Sequence, residues 1–253
     1  MKKLHILALL IGFIATMIFQ SCGSSGSTVD TDDPEKAFSI AKGKFDKGNY
    51  LDAIDDFSFI KVKFPGSQVS DKVQFYLAES YFYKGEYLLA AYEYSNFQKN
   101  YGLSAFIPES KYKLGVCYYK ESPKPSLDQE YTRYAISELS LFVDQYPNDK
   151  NVTDANVKLQ DLKDKLAYKD YSTGIIYMKM EHYRAAALYF QSVYENYIET
   201  QWADDAMLGH ADALINSKKY DDAKKVLEKF DKLFPKSDLK PRAYELRKSI
   251  PVN

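Results

Sequence analysis

From Pro34 onward, apolar residues recur at spacings of three and four, glycines and prolines cluster between those runs, and no segment alternates with the period of two that a strand requires. The pattern predicts an all-α chain. Its first helix starts at Asp33-Pro34, an N-cap residue followed by proline at the first helical position, with Glu35 in the first turn. The helices then come in pairs, and the pairs recur. Phe38, Phe75 and Tyr112 are spaced by 37 residues, as are Phe45, Phe82 and Tyr119. Self-similarity at such a period marks a solenoid, because one helical hairpin cannot bury its apolar face alone and must stack on neighbours. Solenoids usually bind rather than catalyse.

The second helix of each pair carries the positions that identify the repeat. Ala53 precedes Phe57, Ile60 and Pro65; Ala90 precedes Tyr94, Phe97 and Gly102; Ala135 precedes Leu139, Phe142 and Pro147. Ala186 then precedes Phe190, Val193 and Ile198, and Ala223 precedes Leu227, Phe230 and Pro235. This series resembles the tetratricopeptide repeat, with a small residue where two helices cross and large residues four and seven positions on. The first helices match in part, through Leu77-Ala78 with Tyr81, Leu114-Gly115 with Tyr118, and Gly174 with Tyr177, whereas Lys44 and Leu214 hold the tyrosine position in the first and fifth pairs. Five repeats are predicted over residues 34–67, 71–104, 108–149, 152–200 and 202–237, with a terminal helix over 239–249. The alanine spacings of 37, 45, 51 and 37 show where extra material sits. The third repeat contains a loop from Ser122 to Gln129 with Pro123 and Pro125, and the fourth has a leading helix from Val152 to Met180, long enough to project as a rigid spacer.

The N-terminus adds a location. Lys2 and Lys3 precede an uncharged apolar run of 14 residues, Ile6 to Phe19, which fits a signal-peptide core and falls short of the roughly 20 residues of a membrane span. The run ends in Phe19-Gln20-Ser21-Cys22-Gly23, which resembles a bacterial lipoprotein cleavage box with Cys22 as the lipidated first residue. Phe19 and Gln20 depart from the usual residues of that box, and ordinary secretion with cleavage after Gly23 is the alternative. Residues 1–21 are then a signal and residues 22–33 a tether, since Gly23 to Asp33 is Gly, Ser, Thr and Asp with Val29 its one large apolar residue. By resemblance to lipoproteins in general, Gly23 after the cysteine favours the outer membrane.

Charge and chemistry narrow the function classes. Losing residues 1–21 leaves 32 basic against 35 acidic groups, and only Arg133, Arg184, Arg242 and Arg247 are arginines, so neither a nucleic-acid partner nor dense phosphate recognition is expected. Cys117, next to Gly115, Val116 and Tyr118, reads as a small packed core residue. His5 falls in the signal, and His182 and His210 lie in repeat helices without any metal-ligand grouping. No Gly-x-Ser-x-Gly elbow or Walker loop occurs. The chain is expected to be no enzyme and to hold no metal or cofactor.

At this length, the lipoprotein signal, short linker, five lengthened repeats and final helix after Pro241 occur in a definite order. The repeat ends Phe64-Pro65-Gly66-Ser67, Tyr146-Pro147-Asn148-Asp149 and Phe234-Pro235-Lys236-Ser237 belong to the same series. Together they resemble the BamD (YfiO) lipoprotein family of the outer membrane β-barrel assembly machinery. The resemblance implies a lipid-anchored periplasmic scaffold that docks on the barrel-forming, BamA-like subunit and helps to engage unfolded outer membrane proteins. It further implies that the C-terminal region docks that subunit, which makes Trp202, Arg242, Tyr244 and Arg247 candidate contacts. For Trp202 core packing is the alternative, and for the terminal helix a plain capping role.

In tetratricopeptide repeats the leading helices line a groove, and the recurring aromatics fall at positions that usually face it. Phe38, Phe45, Phe75, Phe82, Tyr112 and Tyr119 would then form two aromatic columns, continued by Tyr171 and Met178, with Lys42, Glu79 and Tyr83 between them to fix a peptide's direction. The alternative is that these rings pack between successive hairpins without meeting a ligand. A functional alternative is a tethered repeat protein that binds cell-wall glycan or coordinates envelope and division machinery.

Overall fold

The side chain of Asp33 caps the first helix: Oδ1 accepts from the backbone N–H of Glu35 at 3.0 Å and of Lys36 at 3.4 Å, and Pro34 takes the first helical position. From there the computed structural model, which describes residues 27–251, is a succession of helical hairpins. Among the described residues these are α1 (Pro34–Asp46) and α2 (Tyr50–Lys63), α3 (Ser70–Lys84) and α4 (Tyr87–Asn100), and α5 (Ile107–Glu121) and α6 (Glu130–Gln145). They continue with α7 (Val152–Lys179) and α8 (Tyr183–Asn196), then α9 (Ala203–Asn216) and α10 (Tyr220–Leu233), and end with α11 (Lys240–Lys248). Five hairpins and a terminal helix are what the repeat pattern predicts. The signal and Cys22 lie outside the described residues. The fold has two compact units, residues up to Glu93 and residues from Tyr94 onward.

In the first unit, α2 packs on both α1 and α3. Ala37, Ala41, Ala53, Phe57, Ile60, Val73 and Leu77 form the core. Two carboxylates are buried with it. Glu93 accepts from Lys61 Nζ at 3.0 Å and from the side-chain amide of Gln74, tying α2, α3 and α4 together. Asp56 accepts from Ser27 Oγ at 2.9 Å and from the backbone N–H of Thr28 at 3.0 Å, and Lys44 Nζ lies 2.6 Å from its other oxygen. A buried charge persists only when it is paired and hydrogen-bonded in this way.

Those bonds correct the reading of residues 22–33 as a free tether. Its last seven residues, 27–33, are docked: Val29 is buried in the core of the first unit, and Lys63 donates to the backbone carbonyl of Thr31 at 2.9 Å and pairs with Asp32 at 2.8 Å. Composition argued for disorder because one valine cannot make a core, but one valine can complete a core that α1, α2 and α3 already supply.

In the second unit, helices approach closely wherever a small residue meets a large one. A Cβ on Gly115 would lie 2.7 Å from the Leu139 side chain, and Cβ atoms on Gly174 and Gly209 would lie 2.8 and 2.9 Å from the ring of Phe190. Phe190 of α8 is thereby held between the bare backbones of α7 and α9. The long α7 does not project as a spacer. It buries Ala155, Leu159, Leu162, Leu166, Ala167 and Gly174 along its length and packs on α6 as well as on α8. Its apolar spacing continues through every turn, so no turn is left facing water on all sides. Cys117 is buried, as expected of a core residue.

Four of the five turns within the hairpins share one geometry. The N–H after the turn residue returns to a carbonyl five positions back in four repeats: Asn49 to Lys44, Glu86 to Tyr81, His182 to Tyr177 and Lys219 to Leu214. The residue in the turn has a left-handed backbone, which glycine adopts freely at Gly48 (φ 79°) and Gly85 (φ 88°). In the last two repeats the position is held instead by Glu181 (φ 59°) and Lys218 (φ 61°), at a cost of about 1 kcal/mol each.

His210 is buried on α9, with Nδ1 2.7 Å from the Tyr194 hydroxyl. Burial depresses its pKa from 6.5 to about 4, against the opposing pull of Glu195 and Asp222. In the unfolded chain this histidine protonates near 6.5, so the unfolded state binds the extra proton first as pH falls. Stability from this group is therefore complete above pH 6.5 and is lost between there and about 4, by up to about 3 kcal/mol. Urea midpoints measured between pH 7.5 and pH 4.5 are expected to fall, and the fall is expected to be shallower in His210→Gln. Phe190→Ala should cost about 3–5 kcal/mol in the same assay, since neither Gly174 nor Gly209 has a side chain to fill the space.

Candidate functional site

The aromatic positions of the first two repeats meet in the first unit, joined through a residue the column reading omits. Tyr76, one position after Phe75, lies 5.8 Å from Phe38, 5.3 Å from Phe45 and 6.1 Å from Phe57, ring centre to ring centre. Lys42 Nζ stands 4.8 Å above the Tyr76 ring and 5.4 Å from that of Phe45, while bonding Asp46 at 2.5 Å. Two helical turns further along, Tyr83 packs edge-on to Phe45 at 5.8 Å and to Phe82 at 5.5 Å, and stacks on Tyr50 at 5.5 Å. Phe45, Tyr50, Phe82 and Tyr83 thus form an aromatic cluster at the α1–α2 turn, and Tyr83, 51% exposed, gives it a face to solvent.

Two of the predicted groove residues do not face outward. Phe75 is 3% exposed and Glu79 is 5% exposed, so neither ring nor carboxylate is offered at the surface. They are four residues apart on the face of α3 opposite to Val73 and Leu77, so this helix is buried on more than one side. The sequence spacing is right, but a position that repeats every 37 residues can be packed in one repeat and open in another. Tyr76 and Tyr83 were legible as a second pair seven apart on the same helix, displaced by one residue from Phe75 and Phe82.

Tyr112 and Tyr119 are engaged within the second unit. The Tyr112 hydroxyl donates to Asp154, and the Tyr119 hydroxyl donates to Asp161 at 3.0 Å. Seven residues separate both the tyrosines and their partners, so the two bonds form a ladder between α5 and α7. Burial, and then the hydrogen bond to Asp154, push the Tyr112 phenol well up. Burial also works upward on Asp154, but hydrogen bonds from Lys158 and Tyr112 hold its carboxyl below the usual range. Lys158 bonds Asp154 at 2.5 Å and lies 5.5 Å from the Tyr119 ring centre.

The C-terminal candidates divide in the same way. Trp202 lies at the start of α9 with Tyr168 at 4.8 Å and Tyr171 at 5.4 Å, packed on the core beneath α7 and α8. Arg242 donates to Asp205 at 2.8 Å, and Arg247 donates to the Leu227 carbonyl at 2.9 Å and to Asp231 at 2.5 Å. These arginines fasten α11 to the preceding hairpin. Tyr244 points away, 57% exposed, with Lys248 Nζ 4.4 Å from its ring centre.

Among the described residues no helix is long and apolar enough to cross a membrane. The chain matches the model of the YfiO outer membrane lipoproteins over residues 30–214 and a tetratricopeptide repeat model over residues 205–237, the α9–α10 hairpin. It is 25% identical over 191 residues to the outer membrane protein assembly factor BamD of Caulobacter vibrioides, covering 76% of this chain and 63% of that protein. Over 204 residues it is 25% identical to the protein of the same name from Rickettsia prowazekii, covering 81% of each. With that of Vibrio cholerae it shares 22% over 228 residues, covering 83% of this chain and 95% of the relative. The chain thus spans less than two thirds of the first of these relatives and most of the other two. Given a match across all but the ends of a stack of helical hairpins, the chain belongs to the YfiO family of outer membrane lipoproteins.

Proposed function

We propose that the chain is a scaffold of the β-barrel assembly machinery, anchored through a lipid on Cys22 at the periplasmic side of the outer membrane. It docks on a BamA-like, barrel-forming subunit and engages unfolded outer membrane proteins. The observation that carries this reading is the family match over residues 30–214, on a chain preceded by a lipoprotein-type cleavage box. Relatives from three bacteria carry the name of an outer membrane protein assembly factor. The docked segment 27–33 gives the anchor a mechanical meaning. Only five residue steps separate Cys22 from Ser27, so at full extension the first repeat is held within about 18 Å of the lipidated residue. The scaffold is thereby kept at the membrane surface where barrels are assembled.

For unfolded client segments the surface that supports the reading best is the cluster of Phe45, Tyr50, Phe82 and Tyr83 with Lys42 beside it. Aromatic faces offer contact area at low entropic cost, and the ammonium can orient a peptide's carbonyls or terminal carboxylate. At the other end Tyr244 is the exposed group of α11, with Lys248, paired to Glu245, beside its ring, whereas Arg242 and Arg247 are held by Asp205 and Asp231.

Capture of the tagged, lipidated protein from gently solubilised membranes should recover a β-barrel protein with periplasmic repeat domains, identified by mass spectrometry. Recovery of cell-wall enzymes without that barrel would overturn the assembly reading in favour of envelope coordination. Replacement of Cys22 by serine is expected to move the protein from the membrane to the soluble fraction. Tyr83→Ala combined with Phe45→Ala should weaken binding of an unfolded barrel-strand peptide about tenfold in fluorescence anisotropy, with helicity retained. Unchanged affinity would remove the aromatic cluster from the client site.

A further inference from the structure

At the turn ends of the last two repeats, α8, α9 and α10 leave a cavity of about 460 Å³ between them. That volume is within the range of ligand-binding pockets. Its floor carries the buried pair Tyr194 and His210, joined at 2.7 Å through Nδ1 of the imidazole. Among the described residues His210 Nε2 makes no hydrogen bond, so one ring nitrogen remains available in the lining of the cavity. The apolar part of the wall is Ala187, Leu188, Leu214 and Val226, and Leu188 is 68% exposed.

The rim is electrostatically lopsided. Arg184, Lys219 and Lys225 line the cavity against one carboxylate, Asp222, which lies 3.3 Å from Lys225. Arg184 and Lys219 enter no ion pair among the described residues. Arg184 and Ser217 also line a second hollow of about 550 Å³, which opens beside Glu181 and His182. The two hollows thus share Arg184 and Ser217 and lie beside both turns. These are the turns in which Glu181 and Lys218 occupy the left-handed position that glycine fills in the first two repeats. Backbone strain of this kind persists where the surroundings over-determine it, and it concentrates at binding sites.

We propose that this end of the fourth and fifth repeats is a docking site for an extended polypeptide segment that presents an acidic side chain next to an aliphatic one. The aliphatic group packs between Leu188 and Val226. The carboxylate meets Arg184 and Lys219 and accepts from Nε2–H of His210, in the tautomer that such an oxygen selects. Charge complementarity decides the occupant: two unpaired cations around a donor on an apolar wall suit a carboxylate and disfavour a basic or purely apolar peptide. The site is separate from the aromatic cluster of the first unit, and its chemistry does not depend on the barrel-assembly reading.

The test uses the full-length lipidated chain in detergent and a fluorescein-labelled, C-terminally amidated heptapeptide, GSLELSG, followed by anisotropy. Saturable binding is expected, weakened at least about tenfold when the peptide's glutamate is replaced by glutamine, and by a similar factor in the Arg184→Glu, Lys219→Glu protein. Circular dichroism of that variant should match the parent, because both side chains are at the rim. Leu188→Ser should weaken the same peptide, which separates a segment site from a site for small acids. Absence of saturable binding, equal affinity for the glutamine peptide, unaltered binding to the charge-reversed protein, or equal competition by free glutamate would each overturn the proposal.

Discussion

Everything in this chain rests on how closely two helices can approach. Where Gly174 and Gly209 face Phe190, and where Gly115 faces Leu139, a single added carbon would fall within 3 Å of the opposing side chain. The same device recurs in milder form at Ala53, Ala90, Ala135, Ala186 and Ala223, all of which are fully buried. A small residue lets the backbones come together, and a large one, four positions on, fills the seam that results. Within each unit a hairpin offers a new seam to the next, so the packing extends by repetition.

Polar groups then decide what the stack holds onto. Asp56 and Glu93 are carboxylates in an otherwise apolar interior, and each is matched by donors from distant segments, Ser27, Thr28 and Lys44 for one, Lys61 and Gln74 for the other. Removing one partner of such a set leaves a charge without compensation, which is why these contacts specify geometry even where their net energy is small. The consequence is that residues 27–33, ahead of the first helix, become part of the first repeat. The ladder of Tyr112 and Tyr119 on Asp154 and Asp161 works similarly, fixing α5 against the first half of α7.

The aromatic residues show how one pattern serves two ends. Phe38 and Phe45 pack against Tyr76 and so join successive repeats, while the Tyr83 face remains open to solvent. At the C-terminal end the division is between Trp202, Arg242 and Arg247, which are spent on contacts with the preceding helices, and Tyr244, whose ring is exposed with Lys248, paired to Glu245, beside it. A binding surface on a repeat protein is thus what remains after the repeats have been joined.

The sequence by itself determined the helices, their pairing, the seam residues and the family, because these depend on local periodicity and on side-chain size at fixed spacing. It located the Ser122–Gln129 loop and the long α7 to within a residue or so of their observed bounds. It could not tell that Phe75 and Glu79 are buried, that α7 is packed rather than projecting, or that residues 27–33 are docked. Those outcomes depend on which partner stands opposite each face, and the partners of Asp56 lie up to 29 residues away along the chain. Only the tertiary structure brings Arg184, His210 and Lys219 around one cavity, since nothing in their spacing marks them as neighbours. Periodicity records the direction a side chain points from its own helix; whether it meets water or another helix is settled by packing.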